Sequence, residues 1–280
     1  TTQYISLPKK YEDKITDFEH SQIKILEKTY HNNKIRVGHL KGNKFFIRLK
    51  RVIGLHKIKI EQALGQIATF GMPNYFGHQR FGMDKQNYII GEEIESGKTK
   101  IRDKKKRQFL ISAYQSHLFN QWLSKRLEIS KIFQNFSEKE ILEYLKLDIS
   151  IDEIKAIKEQ SHPFKLLSGD IMHHYPYGRI FNLENLEEET DRFLKKDIVP
   201  TGLLSGKKVK VSSELALEFE KMFDKEIKST DGARRLAWIY PEDISSNYKD
   251  KDAWLELEFY LPKGSYATVL LEEILHKELT

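Results

Sequence analysis

Few residue groups in this chain have the types and spacing for chemistry. His173-His174 are adjacent, so on any regular element they point in different directions, and no carboxylate stands at a ligand spacing from them. The pair reads as polar loop, and no metal site is expected. Ser168-Gly169-Asp170 lacks the G-x-S-x-G setting of a hydrolase nucleophile. Neither a P-loop nor a dinucleotide-binding glycine pattern occurs, which argues against NTPase and Rossmann chemistry. The chain has no cysteine, which excludes thiolate catalysis, disulfides and Cys-ligated zinc and fits a reducing, cytoplasmic setting.

Two features survive this sieve. Lys98, Lys100, Arg102, Lys104, Lys105, Lys106 and Arg107 crowd seven cations into ten residues, relieved only by Asp103. Such charges repel one another unless a polyanion or nearby carboxylates neutralise them. A phosphate backbone would gain affinity by counterion release, with strong salt dependence; a flexible solvated loop is the plain alternative. The second feature is Gly71-Met72-Pro73-Asn74-Tyr75-Phe76-Gly77-His78-Gln79-Arg80-Phe81-Gly82, too rich in glycine and aromatics for a helix and without strand alternation. Backbone of this kind either packs a domain junction or binds something.

These groups need elements to hold them. Residues 3–7, 23–26 and 34–38 alternate like strands of a sheet with one wet face, and a turn at Lys41-Gly42-Asn43-Lys44 leads into another strand at 45–49. Apolar positions recur at helical spacing over 58–70, and Gly71 ends that helix. A long amphipathic helix is predicted over 108–129, burying Leu110, Ala113, Leu118, Phe119, Trp122 and Leu123. Helices over 137–147 and 151–160, loop and short strand over 166–181, and a turn at Val199-Pro200-Thr201-Gly202 follow. A Ser-capped helix over 213–223, an alternating strand over 254–261 and a helix over 266–279 close the chain. Sheet segments at both ends around a helix-rich middle predict an α+β fold, one domain interrupted by an insertion.

Bulk properties agree. With 39% apolar residues, 16 Phe, 13 Tyr and 3 Trp, 280 residues can build real cores. The net charge of +6, from 47 basic and 41 acidic residues, is modest, so clustering matters more than the total. No apolar run approaches the roughly 18–20 residues that span a bilayer, so no membrane partner is expected.

Several segments together resemble the TruD family of tRNA pseudouridine synthases. Gly71 to Gly82 resembles its G-x-P-N-Y-F-G-x-Q-R-F-G, the most specific match, and Leu40-Lys41-Gly42-Asn43-Lys44-Phe45 its K-G-N-x-F. Ser112-Ala113-Tyr114-Gln115-Ser116 through Phe119-Asn120 resembles the S-A-x-x-S-x-L-F-N helix, and Gly169-Asp170 the following G-D. Pro200-Thr201-Gly202, Gly232-Ala233-Arg234-Arg235, Pro241-Glu242-Asp243 and Leu261-Pro262-Lys263-Gly264-Ser265-Tyr266-Ala267-Thr268 then follow in family order. Thr1-Thr2-Gln3 resembles the last three residues of the family's G-x-K-D-x-x-A-x-T-x-Q segment. Its catalytic aspartate would then fall five residues before Thr1, so Asp13, Asp17 and Asp170 are not promoted, and Asp170 is expected to support structure.

The resemblance implies a pseudouridine-synthase-like catalytic domain with a mixed, mainly antiparallel sheet (residues 1–70 and 232–280), interrupted by a helix-rich inserted domain (71–231) that helps grip tRNA. The family breaks a C1′–N1 glycosidic bond, turns the uracil and rejoins it through C5, using no cofactor or metal. The aspartate acts as nucleophile at C1′ or C6, or abstracts a proton. The uridine, usually at position thirteen, must be extruded at a cost of roughly a few kcal/mol, of which aromatic stacking recovers about 1–3. The resemblance assigns stacking to Phe45, whose plain alternative is an inward strand residue, and places Asn43 beside the nucleophile or base. The basic cluster would bind RNA; Arg80 would meet RNA or brace the domain junction. The expected function is therefore a tRNA pseudouridine synthase, the chain as it stands being inactive without the upstream aspartate. A non-catalytic RNA-binding protein is the alternative, and a small-molecule enzyme has little support.

Overall fold

Along the chain, a short helix α1 (Glu12–Thr16) precedes strand β1 (Gly42–Lys50) and helix α2 (Gly54–Phe70). Strand β2 (Met72–Pro73), helix α3 (Asn87–Glu95) and the long helix α4 (Lys104–Asn135) come next. The middle continues through α5 (Glu138–Leu145), α6 (Ile151–Glu159), β3 (Ile171–His174), β4 (Ile180–Asn182), α7 (Leu186–Leu194), β5 (Ile198–Leu204) and α8 (Glu214–Glu220). It closes with β6 (Ala233–Leu236), β7 (Trp238–Ile239), β8 (Glu242–Lys249), β9 (Trp254–Pro262) and α9 (Ala267–Leu275). The computed structural model describes residues 1–36 and 38–279.

The two alternating strands near the chain ends meet. β1 runs antiparallel to β9, from Gly42 opposite Pro262 to Lys50 opposite Trp254, and β9 also pairs with β8. Alternation turns Phe45, Ile47 and Leu49 onto the side of Leu255, Leu257, Phe259 and Leu261. Ile60, Leu64 and Ile67 of α2 and Val269, Leu270 and Ile274 of α9 cover that side. Each such side chain contributes about 1.5–3 kcal/mol when fully buried.

The middle is organised by α4, which at 1.5 Å per residue is about 48 Å long. Its Ile111, Tyr114 and Leu118 join one apolar cluster, Phe119, Trp122 and Leu123 a second, and Ile129 and Phe133 a third. A sheet of order β4-β3-β5-β6 lies against it. The approach is close enough that a Cβ added to Gly202 of β5 would meet Trp122 at 2.2 Å.

The architecture is α+β, as the sequence predicts, but several segments differ. Residues 3–7, 23–26 and 34–36 form no strand, and Val37 lies outside the described residues. A strand needs a paired neighbour; none reaches these segments among the described residues, and Tyr4, Ile5, Leu26 and Ile35 stay exposed. Val199-Pro200-Thr201-Gly202 is no turn but part of β5, buried throughout. Pro200 is tolerated where pairing changes over, since β5 meets β3 up to Pro200 and β6 from Thr201. The His173-His174 pair lies on β3 rather than in a loop. Ser213 precedes α8 without a side-chain cap bond; its neighbour Ser212 instead bonds Glu220 through both N–H and hydroxyl. The middle also holds strands as well as helices, and its β5–β6 pairing crosses position 232.

Candidate functional site

Asn43 and Phe45 stand two residues apart on β1, hence on one side of the strand, opposite Leu261 and Phe259. Phe45 is half-buried, and its ring stacks on Phe259 at 5.4 Å between centroids, 25° from parallel. Asn43 is exposed near the start of the strand. The other side of β1 carries Lys44, Phe46 and Arg48; Phe46 is 57% exposed, and Arg48 bonds Glu256 at 2.7 Å while lying over Trp254.

The basic cluster is divided between two kinds of backbone. Lys98, Lys100 and Arg102 precede α4, whereas Lys104, Lys105, Lys106 and Arg107 form its first turn, four residues earlier than the sequence period suggests. Asp103 is the reason: its carboxylate accepts from Lys105 N at 2.8 Å and Lys106 N at 2.9 Å, capping the helix. All seven cations are exposed, and none forms an ion pair among the described residues. Four of them stand at the positive end of the helix dipole, which deepens the local positive potential.

The Gly71–Gly82 stretch lies between the sheet end and the middle. Gly71 takes φ 76°, and a Cβ there would meet Ile239 O at 2.5 Å. Met72 and Pro73 pair with β7. Phe76 and Asn120 of α4 exchange two bonds, Phe76 N to Asn120 Oδ1 and Asn120 Nδ2 to Phe76 O, each 2.9 Å. Arg80 donates to Ser112 Oγ at 2.6 Å and Ser116 Oγ at 3.2 Å. Its head therefore ties the loop to α4.

Asp170 is buried in a two-point bond with Arg126, at 2.6 and 2.8 Å. That geometry gives it a structural partner and no open face for substrate. Burial lowers the His173 pKa, and His174 faces outward toward Arg192. Among the described residues no group of three or more His, Asp or Glu could hold a metal ion.

One residue the sequence did not single out is Arg235. Its Nε and Nη2 donate to the backbone oxygens of Asn74, Tyr75 and Gly264 and to Asn74 Oδ1, and its head lies 3.8 Å above the Phe76 ring. The available signal was strand alternation, since adjacent Arg234 and Arg235 must point to opposite faces.

The model of the family tRNA pseudouridine synthase D (TruD) matches residues 1–101 and 100–274. The chain belongs to this family. A tRNA pseudouridine synthase D of Sulfurimonas denitrificans is 61% identical over 279 residues, covering 100% of this chain and 77% of that protein. The namesake from Wolinella succinogenes is 51% identical with the same coverage. That of Helicobacter pylori strain J99 is 53% identical over 289 residues, covering 99% of this chain and 76% of its own. The fold is shared more widely: a Methanosarcina mazei protein assigned as tRNA pseudouridine synthase D superposes with a TM-score of 0.56 at 18% identity, over 95% of this chain and 76% of the other. Within the TruD family the chain therefore keeps the α+β architecture, and no helix among its described residues is long and apolar enough to cross a membrane.

Proposed function

We propose that the chain acts on tRNA as a cytoplasmic pseudouridine synthase, with Asn43 and Phe45 holding the extruded uracil and the cations of residues 98–107 taking the phosphate backbone. Family membership supports the activity. The observation that supports the placement is the Phe45–Phe259 stack, which braces a half-buried aromatic ring two residues from exposed Asn43. A ring already fixed by packing loses little freedom when a base lies on it. Stacking of about 1–3 kcal/mol then offsets much of the roughly few kcal/mol that extrusion costs. Isomerisation breaks C1′–N1 and forms C1′–C5; the proton lost from C5 is balanced by one gained at N1, so no atom is gained or lost. The division proposed for the chain is a catalytic part, residues 1–70 and 232–280, around an inserted part, 71–231, with β6 lending its edge to the inserted sheet.

Tritium release from C5-labelled uridine in tRNA, measured with the full-length protein, tests the activity. Phe45→Leu keeps an apolar side chain at this position and is expected to slow release about tenfold or more by removing the stack. Unchanged release by the variant would remove Phe45 from the pocket. No release by the parent protein would remove the activity itself.

A further inference from the structure

Two neighbouring arginines on β6 are treated in opposite ways. Arg234 points to one face and is fully engaged: Nη1 meets Glu220 Oε2 at 2.6 Å, and Nε and Nη2 bond Thr201 Oγ1 and O. Arg235 points to the other face and meets only neutral oxygens. No carboxylate pairs with it among the described residues. A second guanidinium, that of Arg80, lies 5.8 Å from the same Phe76 ring and is held by two serine hydroxyls rather than an acid. Among the described residues, two cations flank one ring with no counter-charge, an uncompensated arrangement. Burial and the nearby Arg80 pull the Arg235 pKa down to about 9, which leaves it charged at neutral pH.

Arg235 also keeps one group uncommitted. Among the described residues Nη1 has no acceptor, and it is not one of the polar atoms sealed from solvent without a partner. Only its Gly264 side is open. A Cβ added to Gly264 would meet a single heavy atom within 4 Å, Nη1 itself, at 3.6 Å. Among the described residues the buried hydroxyl of the next residue, Ser265, has no partner, nor does the His78 ring at Nδ1 on the Gly71–Gly82 stretch. This opening sits two residues beyond Pro262, which pairs with Gly42 at the start of β1, and Lys263 N donates to Lys41 O at 2.8 Å. It therefore adjoins the strand end that carries Asn43 and Phe45.

We infer that Arg235 Nη1, over the open face of Gly264 and backed by Arg80, binds one phosphodiester of the RNA backbone beside the uridine held at β1. The inference rests on the proposed RNA substrate, and it concerns binding rather than chemistry. A phosphodiester supplies a single negative charge and a non-bridging oxygen that can accept a charge-assisted bond from Nη1. Arg234 cannot substitute, since Glu220 neutralises it.

Binding of tRNA carrying one neutral methylphosphonate, placed in turn at each linkage flanking the target uridine, tests this without altering the protein. With the parent chain one linkage should weaken binding about tenfold when neutralised, and Arg235→Gln should make that same linkage indifferent while lowering the log–log salt slope by about one. Arg235→Lys, which keeps the charge, should retain part of the discrimination. Thermal unfolding of both variants separates lost anchoring to Asn74 from lost binding. If no linkage loses its effect in Arg235→Gln, or if Arg235→Gln weakens every linkage equally, the inference is overturned. Because the readout is affinity, absence of isomerisation would leave it standing, while absence of any tRNA binding would remove the proposed substrate.

Discussion

The middle of the chain and its sheet end are stabilised by different means. Among the described residues, those polar or charged residues that are buried as a whole run from Asn74 to Glu220, including Arg126, Lys165, Asp170, Glu189 and Glu220, the last paired with the buried Arg234 head. The sheet end, β1, β8 and β9 with α2 and α9, has an apolar core, and among the described residues no charged residue is fully buried in these elements. Apolar packing tolerates exchange when volume is kept. Buried charges demand their partner, and removing one is worse than removing both. The middle should therefore fail sharply at single positions where the sheet end fails by degrees. That specificity suits a region holding three apolar clusters in register along one helix.

The sharpest break is expected at Asp170→Ala. It strands the Arg126 head, which is 1% exposed and whose Nε has no partner among the described residues, between Trp122 and Phe164. A loss of about 3–5 kcal/mol is expected in urea unfolding. The paired change Arg126→Met with Asp170→Leu should recover most of that loss. Leu257→Ala in the sheet end should cost about 2–5 kcal/mol with no comparable rescue by a partner. A paired change no better than Asp170→Ala would erase the contrast between the regions.

A smaller effect separates them by pH. His162 is 1% exposed, with Nε2 on Phe70 O at 3.0 Å and Nδ1 accepting from Phe164 N. Burial first, and the Lys165 charge last, push its pKa down from 6.5 to about 4. The folded state therefore refuses a proton that the unfolded state takes below pH 6.5. Its share of stability is complete above about 6.5 and is lost as pH falls toward 4, up to about 3 kcal/mol. Unfolding of the parent between these pH values should show this slope, and His162→Gln should lack it. Equal slopes would mean that other groups carry the acid sensitivity.

The sequence was informative where one signal dominates and weaker where context overrides it. β1, β9 and α2 follow from periodicity because each has one clear apolar face. Pro200 and Gly202 mimic a turn, yet burial on α4 and a change of pairing partner make them strand. Residues 3–7 alternate correctly, but alternation cannot supply the neighbour a strand requires. Asn43 and Phe45 could be named only through the family likeness, since an inward aromatic on a strand is ordinary. Arg235 escaped because its interest lies in what it lacks, and the absence of a counter-ion is a property of the folded chain.

The smallest expected effect runs against intuition. Lys104, Lys105, Lys106 and Arg107 occupy the first turn of α4, where cations oppose the helix dipole. Replacing any one of them by Gln, with the Asp103 cap left in place, should raise stability by about 0.3–1 kcal/mol at low salt. The gain should fade as salt screens it. The same replacement should weaken tRNA binding and flatten its salt slope by about 0.7–0.9 for each phosphate no longer neutralised. Opposite signs on stability and binding identify charges placed for a ligand at the expense of the fold. Parallel losses would show instead that these lysines support α4. Unchanged salt dependence would return the cluster to an ordinary solvated surface.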